Sequence, residues 1–358
     1  MTQGFHALRV AEVRRETPDA VSIRFDLPAE LKTAFAFKAG QHLTLRTLLQ
    51  DEDIRRNYSV CVSPHEDELR VAVKHISGGA FSSWVNTAIE PGAMIEVMPP
   101  HGAFTWGFDA GAERCYVAFA GGSGITPVLS ILKTALQQEP KSRFTLLYGN
   151  RSVAQIMFLE ELAALKNVHL DRLEVYHFLE DDEEETDLFN GRLDAAKSEQ
   201  VLDTLVRATD IDAFFICGPG PMMTAVEQAL QSRGVPGDRI LVERFTTGEL
   251  SPAQAAAAHH LEAKAQGLKV SVILEGRRTS IPFGADAHSV LDAASAAGLP
   301  APFACKGGVC ATCRAKLISG TVEMKVNYGL SDAEVAQGYV LTCQAIPTSE
   351  GVVLDYDA

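Results

Sequence analysis

Alternation of apolar and polar residues dominates the first hundred positions of the chain. Val21, Ile23 and Phe25 alternate with polar neighbours, as do Leu43 and Leu45, then Leu69, Val71 and Val73. A period of two puts each set on one face of a strand, and turn residues separate the runs, which predicts a small antiparallel barrel over residues 1–110. The rhythm changes near residue 114. Cys115–Ala120 reads as a short buried strand entering a glycine turn, and Val128, Leu129, Leu132 and Leu136 follow at helical spacing. Phe144–Tyr148 reads as a strand, Met157–Leu165 as a helix, Ala213–Cys217 as a strand and Met222–Ser232 as a helix. Strands alternating with helices imply a parallel sheet, so 111–247 is expected to be an α/β domain of nucleotide-binding type. Residues 248–267 break the pattern: Ser251-Pro252 opens an alanine run with a helix-start signature and almost no bulky apolar face, and reads as a partly helical linker. From Leu268 strand alternation returns at Val270, Val272 and Leu274, followed by a helix-like stretch at Ser289–Ala297. The expected fold class is multidomain: β, then α/β, then α+β over 268–358.

The last of these segments carries the most specific chemistry. Cys305, Cys310 and Cys313 are spaced C-x4-C-x2-C, and Cys343 follows at a distance. This is the plant-type spacing for a [2Fe–2S] cluster, in which one tight loop supplies three thiolates and a later segment the fourth. Gly307 and Gly308 let that loop curl without Cβ clashes. A structural zinc site is the main rival, yet it usually shows paired short spacings, and only Cys310 and Cys313 form a C-x2-C here. Disulfides suit secreted chains, and Met1-Thr2-Gln3-Gly4-Phe5-His6 does not read as a secretory signal. No apolar run approaches a membrane span, so the expectation is a cytoplasmic protein without a membrane partner. A net charge of −14 over 358 residues argues against nucleic acid, whose phosphates would be repelled. Seven of the eight residues from Glu180 to Asp187 are acidic, and a solvated surface loop explains them.

Arg56-Asn57-Tyr58-Ser59 offers a phosphate-binding cation, a ring to stack and a hydroxyl for a polar ring edge, though an ordinary strand with one exposed arginine would look the same. Gly78-Gly79-Ala80-Phe81-Ser82 opens a helix expected over Phe81–Ala88, where backbone N–H groups can receive a pyrophosphate. Gly121-Gly122-Ser123-Gly124-Ile125-Thr126-Pro127 lies between a strand and a helix; its glycines admit a phosphate, or serve only as a structural turn. Cys217-Gly218-Pro219 ends another strand at the same carboxyl edge, where open α/β sheets bind ligands. Cys61 and Cys115 read as small buried apolar residues. After the second strand of the nucleotide domain stands Asn150-Arg151-Ser152, with no carboxylate for a ribose hydroxyl; an arginine beside a hydroxyl suits a 2′-phosphate, which favours NADPH over NADH, unless Arg151 is simply a solvent-facing loop residue.

Taken in order, Arg56-x-Tyr58-Ser59, Gly79-x-x-Ser82, the glycine turn with Thr126, Cys217-Gly218-Pro219, Glu243-Arg244-Phe245 and the four cysteines resemble the ferredoxin–NADP reductase superfamily with a C-terminal plant-type ferredoxin domain. The resemblance spans nearly the whole chain. It implies an FAD-binding barrel, an NAD(P)-binding domain and a β-grasp-like ferredoxin domain. It implies that Arg56 binds the flavin phosphate, Tyr58 stacks on the isoalloxazine, and Ser59 bonds its polar edge. Gly79 and Ser82 would meet the FAD pyrophosphate; Gly121, Gly122, Ser123, Gly124 and Thr126, with Gly218 and Pro219, would hold the coenzyme. Cys217 would sit by the nicotinamide and act with Ser59 in catalysis, and Phe245 would cover the flavin. Ser123 departs mildly from the threonine of many relatives. The tail Asn327-Tyr328-x-Leu330 and Gly338-Tyr339-Val340-Leu341-Thr342-Cys343-Gln344 is similar to reductase components of phenylacetyl-CoA 1,2-epoxidase complexes, which implies a separate di-iron oxygenase as partner. Reductases of the same architecture that serve a Rieske hydroxylase or a desaturase are the alternative, and a non-catalytic redox sensor or zinc-stapled module is a third.

Overall fold

The computed structural model describes residues 4–50, 52–245 and 252–358. Two compact units emerge: a larger one, Gly4–Ile54 with Tyr58–Glu243, and a smaller one built on Arg244–Ala358. In the larger, β1 (His6–Thr17), β2 (Ala20–Asp26), β3 (His42–Leu49), β4 (Glu52–Ser59), β5 (Leu69–Lys74) and β6 (Met94–Val97) form a six-stranded sheet in the order β4-β3-β6-β1-β2-β5. The period-two apolar residues all turn inward: Leu8, Val10, Val21, Ile23, Leu43, Leu45, Val71 and Val73 are buried in one cluster. Helix α1 (Ala80–Ala88) adds Phe81 and Val85 to that cluster.

The rest of this unit holds β7 (Cys115–Gly121), α2 (Ile125–Gln138), β8 (Arg143–Asn150), α3 (Leu159–Val168), β9 (Leu173–Leu179), α4 (Ala195–Thr204), β10 (Ala213–Cys217), α5 (Gly220–Ser232) and β11 (Ile240–Glu243). The strands are all parallel, in the order β11-β10-β7-β8-β9. The strand order reverses between β7 and β10, and that crevice is where doubly wound sheets bind ligands. Apolar clusters lie on both faces: α2 and α3 contribute to one, α4 and α5 to the other. Barrel and sheet are locked together, since Ser130 Oγ donates to Val62 C=O at 2.6 Å and Lys133 Nζ reaches both Glu66 and Glu161. The fully buried Glu139 carboxylate accepts from Tyr116 Oη, Ser142 Oγ and the Asp109 N–H, and pairs with Arg114.

The smaller unit contains α6 (Pro252–Ala265), β12 (Lys269–Leu274), β13 (Arg277–Pro282), α7 (Val290–Ala296), β14 (Arg314–Ser319), β15 (Val322–Met324), α8 (Asp332–Ala336), β16 (Tyr339–Leu341), β17 (Ala345–Pro347) and β18 (Val352–Asp355). Its main sheet runs β13-β12-β18-β14-β16; β12 and β18 are parallel and the other pairs antiparallel. Ala265 at the end of α6 is fully buried in this unit's core, beside Val270, Val272 and Phe283. Of the linker expected over 248–267, residues 248–251 lie outside the described residues. The structure departs from the sequence pattern in several elements. Helix α3 begins at Leu159 rather than Met157, because Phe158 takes φ 60° and breaks the turn ahead of it. Strand β9 and helix α4 are additional elements that the pattern does not announce. Cys115 is half-buried rather than buried, at the open end of β7.

Candidate active site

The carboxyl ends of β7 and β10 bring two glycine-bearing turns into backbone contact. A Cβ on Gly124 would lie 2.1 Å from the Cys217 carbonyl oxygen, and one on Gly121 would lie 2.5 Å from Pro219 Cδ. One on Gly218 would lie 2.9 Å from the Gly121 nitrogen. No residue with a side chain fits at these crossings, since real Cβ contacts do not fall so short. Gly122 takes φ 51°, and its carbonyl accepts from the buried Tyr148 Oη at 2.9 Å, which braces the turn from β8. Thr126 is buried and donates its hydroxyl to Ser123 C=O at 3.0 Å, tightening the entry to α2. Ser123 is half-buried. The turns therefore expose backbone at the start of α2, where N–H groups lack intrahelical acceptors.

Cys217 is fully buried, and its thiol is pushed well above the ordinary range by burial first and the Glu243 carboxylate second. Cys217 and Glu243 are register partners on β10 and β11. A neutral, small, polarisable group thus ends β10. Phe245, just beyond β11, is 38% exposed.

On the barrel, β4 places Arg56 in solvent, leaves Tyr58 half-buried and buries Ser59. The Tyr58 ring packs on Phe81 of α1 with centroids 5.6 Å apart. Ser59 Oγ is buried without a hydrogen-bond partner. An orphaned hydroxyl beside a ring is what a flavin's polar edge would satisfy, so the residues fit the group. Gly79 caps α1 in extended conformation with its own N–H donated to Ile76 C=O at 2.9 Å, and the first intrahelical bond runs from Ser83 N–H to Gly79 C=O, so the first-turn N–H groups of residues 80–82 precede the helix's own bonding. The buried Ser82 hydroxyl accepts from Ile76 N–H at 3.1 Å, closing the loop that aims this helix end.

At the end of β8, Asn150 is buried with neither side-chain oxygen nor nitrogen bonded, Arg151 is exposed and Ser152 half-buried. Asp182 faces the same turn and accepts from Val153 N–H at 2.7 Å. Composition gives no sign that Asn150 and His42 would be buried polar groups here; only their tertiary placement reveals it.

In the smaller unit, Cys310, Cys313 and Cys343 are buried and Cys305 is half-buried. Backbone and amide donors face the sulfurs: Gly307 N–H to Cys305 Sγ at 3.3 Å, Cys305 N–H to Cys310 Sγ at 3.5 Å, and Gln344 Nε2 to Cys343 Sγ at 3.5 Å. The thiols pair two and two. Cys305 is raised chiefly by Cys310, and Cys313 by Cys343, whose own thiol is lowered by the Cys313 hydrogen bond. Among the described residues no group of three or more His, Cys, Asp or Glu is arranged for one metal ion. Two pairs of thiols with N–H donors fit a two-iron core, which needs two thiolates on each iron.

Comparison with known proteins agrees with this geometry. The oxidoreductase FAD-binding domain family matches residues 7–106, the oxidoreductase NAD-binding domain family residues 119–228, and the 2Fe-2S iron-sulfur cluster binding domain family residues 272–348. One subunit of the 1,2-phenylacetyl-CoA epoxidase of Escherichia coli (strain K12) is 44% identical over 99% of this chain and 98% of its own. The chain belongs to the ferredoxin–NADP reductase superfamily with a C-terminal plant-type ferredoxin domain. The ferredoxin reductase component of 3-ketosteroid-9-alpha-monooxygenase from Rhodococcus rhodochrous is 34% identical over 98% of this chain and 96% of its own. Among solved structures, phthalate dioxygenase reductase shares the fold with a TM-score of 0.59 at 23% identity, covering 98% of each chain. The protein is an NAD(P)H-dependent iron–sulfur flavoprotein oxidoreductase. Among the described residues, no helix is long and apolar enough to cross a membrane.

The two turns cross backbone to backbone at the carboxyl edge of the parallel sheet. Gly124→Ala is expected to lower stability by about 1–3 kcal/mol through overpacking and to weaken coenzyme binding. Gly107→Ala, which meets nothing within 4 Å, is expected to do neither. Urea unfolding and coenzyme titration of both variants measure the contrast, and wild-type values for Gly124→Ala would refute the crowding.

Proposed function

We propose that this chain is the reductase component of a phenylacetyl-CoA epoxidase complex, carrying electrons from NADPH to a di-iron oxygenase in the cytoplasm. The observation that carries the reading is 44% identity running through all three domains and nearly the full length of both chains. The 34% identity to a steroid monooxygenase reductase supports the coarser statement, an oxygenase as electron acceptor, and keeps a Rieske-type partner as the second reading. The working division is residues 1–110 for FAD, 111–247 for the coenzyme, 248–267 as connection and 268–358 for the cluster.

FAD, when bound, takes a hydride and gives up electrons singly, and the cluster takes them one at a time. The chain's residues bind, orient and insulate. Arg56 meets the flavin phosphate, Tyr58 stacks on the ring, and the orphaned Ser59 hydroxyl bonds its polar edge. Gly79 and Ser82 present the N-terminus of α1 to the pyrophosphate. Gly121, Gly122, Ser123, Gly124 and Thr126 receive the coenzyme's phosphates, with Gly218 and Pro219 opposite. Cys217 lies by the nicotinamide as a neutral thiol, and Phe245 covers the flavin. Cys305, Cys310, Cys313 and Cys343 ligate the cluster. For the 2′-phosphate of NADPH, Arg151 and Ser152 supply charge and hydroxyl, and the unpartnered Asn150 amide stands beside them.

The direct test supplies purified oxygenase components with phenylacetyl-CoA and NADPH, with and without this chain. Epoxide that forms only in its presence supports the assignment; none with these components, but turnover with a Rieske oxygenase, favours the second reading. Cys343→Ala is expected to abolish the reduced-cluster signal in electron paramagnetic resonance while NADPH still bleaches the flavin. Arg151→Ala is expected to raise the KM for NADPH about tenfold, as loss of one charge-assisted bond would, and to leave that for NADH nearly unchanged. Steady-state kinetics with both coenzymes measure this, and equal effects would remove the 2′-phosphate role.

A further inference from the structure

Two hydroxyls of the smaller unit converge on the backbone of Cys313, and no role above uses them. Thr342, fully buried between β16 and Cys343, donates its hydroxyl to the Cys313 carbonyl at 2.9 Å. Its N–H donates to the same oxygen at 3.2 Å. Tyr356, just past β18, donates its own hydroxyl to Thr342 Oγ1 at 2.7 Å. The direction of this chain is fixed, because a carbonyl oxygen can only accept. Thr342 therefore commits its one hydroxyl proton to Cys313 and accepts the one from Tyr356.

The fold aims both groups. Strand β18 lies between β12 and β14 in the main sheet, and Tyr356 N–H continues that pairing to Ile273 C=O at 3.0 Å. The Tyr356 ring packs against the apolar core of this unit. From the other side, Leu291 N–H of α7 donates to Thr342 C=O at 3.0 Å. Burial pushes the Tyr356 phenol above its ordinary range, with the Thr342 hydrogen bond pulling the other way, so the group stays a donor at neutral pH. Hydroxyls in an apolar core carry a desolvation cost that valine and phenylalanine of similar shape would avoid. Their placement therefore asks for a reason, and both lead to one carbonyl.

That carbonyl belongs to the same residue as a ligating sulfur. Cys313 and Cys343 form one of the two thiol pairs, and Thr342 is joined to both, covalently to Cys343 and through two hydrogen bonds to Cys313. The partial negative charge on the Cys313 oxygen opposes the arrival of an electron nearby. Donors aimed at that oxygen offset the charge, and in a core of low dielectric the effect is strengthened along a chain of hydrogen bonds. We propose that Thr342 and Tyr356 are positioning residues for the cluster, a chain of hydroxyl dipoles ending on the Cys313 carbonyl that raises the reduction potential of the bound cluster. One electron is taken up and no proton moves; the two hydroxyl hydrogens stay on their oxygens. The inference rests on the reading that Cys305, Cys310, Cys313 and Cys343 ligate the cluster.

The test is an anaerobic redox titration of the full chain carrying flavin and cluster, with the reduced cluster followed by electron paramagnetic resonance. Thr342→Val keeps the side-chain shape and removes the hydroxyl. Its equilibrium constant for cluster reduction is expected to fall about threefold to tenfold, the worth of about one hydrogen bond, which is a midpoint about 30–60 mV lower for a one-electron couple. Tyr356→Phe is expected to shift the same way by about twofold to threefold, and Thr342→Ser to match wild type. Iron content of each variant restricts the comparison to loaded protein. A merely structural role would lower occupancy or urea resistance and leave the midpoint where it is. Should Thr342→Val fail to hold the cluster, Tyr356→Phe decides alone, since its ring packing is kept. An unchanged or raised midpoint in either loaded variant, or a Thr342→Ser shift as large as that of Thr342→Val, would overturn the proposal. A wild-type protein that holds no iron would instead refute the cluster reading itself.

Discussion

Backbone pressed against backbone at the carboxyl edge of the parallel sheet is the constraint on which this site depends. The Gly124 Cα faces the Cys217 carbonyl so closely that a Cβ would sit at 2.1 Å, and Gly121 and Gly218 meet with similar economy. That contact exists because β7 and β10 are neighbours at the point where the strand order reverses. Two turns leaving adjacent strands would collide if either carried side chains, so three glycines are required at once. Tyr148 then fixes the Gly122 carbonyl and Thr126 fixes Ser123, so the exposed N–H groups at the head of α2 cannot drift. The polar contacts that lock α2 to the barrel tie this rigid corner to Val62 and Glu66.

The same crowding decides the chemistry of Cys217. A thiol is a nucleophile only as its thiolate, and here both burial and the Glu243 charge oppose ionisation. Cys217 is consequently a neutral, polarisable surface rather than a reactive group. Cysteines of the smaller unit are treated differently, because N–H donors converge on Cys305, Cys310 and Cys343. Two environments in one chain thus separate a lone buried thiol from thiols that hydrogen-bond one another, Cys305 with Cys310 and Cys313 with Cys343.

Much of this is legible in the sequence, and the remainder is hidden for physical reasons. The period-two runs locate the barrel strands because one face of each is fully buried. The cysteine spacing and the glycine turns are legible because ligand geometry and steric exclusion act locally. Strand β9 is hidden although Leu173, Phe178 and Leu179 are buried, since Glu174, Val175, Tyr176 and His177 between them are exposed or partly so on an edge strand. Helix α4 is hidden because Ser198 is among its three buried residues, which leaves only Val201 and Leu202 as apolar anchors. His42 gives no signal at all. Its burial depends on the His101 ring packed against it and on Glu243 3.7 Å away, which only the fold brings to it.

Hydrogen bonding to the sulfurs carries a further consequence for direction of electron flow. Each N–H aimed at a cysteine sulfur favours the state of a bound cluster with more negative charge, which is the reduced one. Burial of Cys310, Cys313 and Cys343 works the other way, because a low-dielectric surround penalises added charge. Cys305 is only half-buried, so solvent offsets part of that penalty on its side. Donors and burial thus act in opposition at this pocket. Gln344 illustrates the design at one residue: its side-chain amide donates both to Cys343 Sγ and to the Lys306 carbonyl, so the amide that stabilises a sulfur also ties down the cysteine loop. Gly308 makes this possible, because a side chain there would strike the Gln344 Cγ at 2.9 Å and dislodge it.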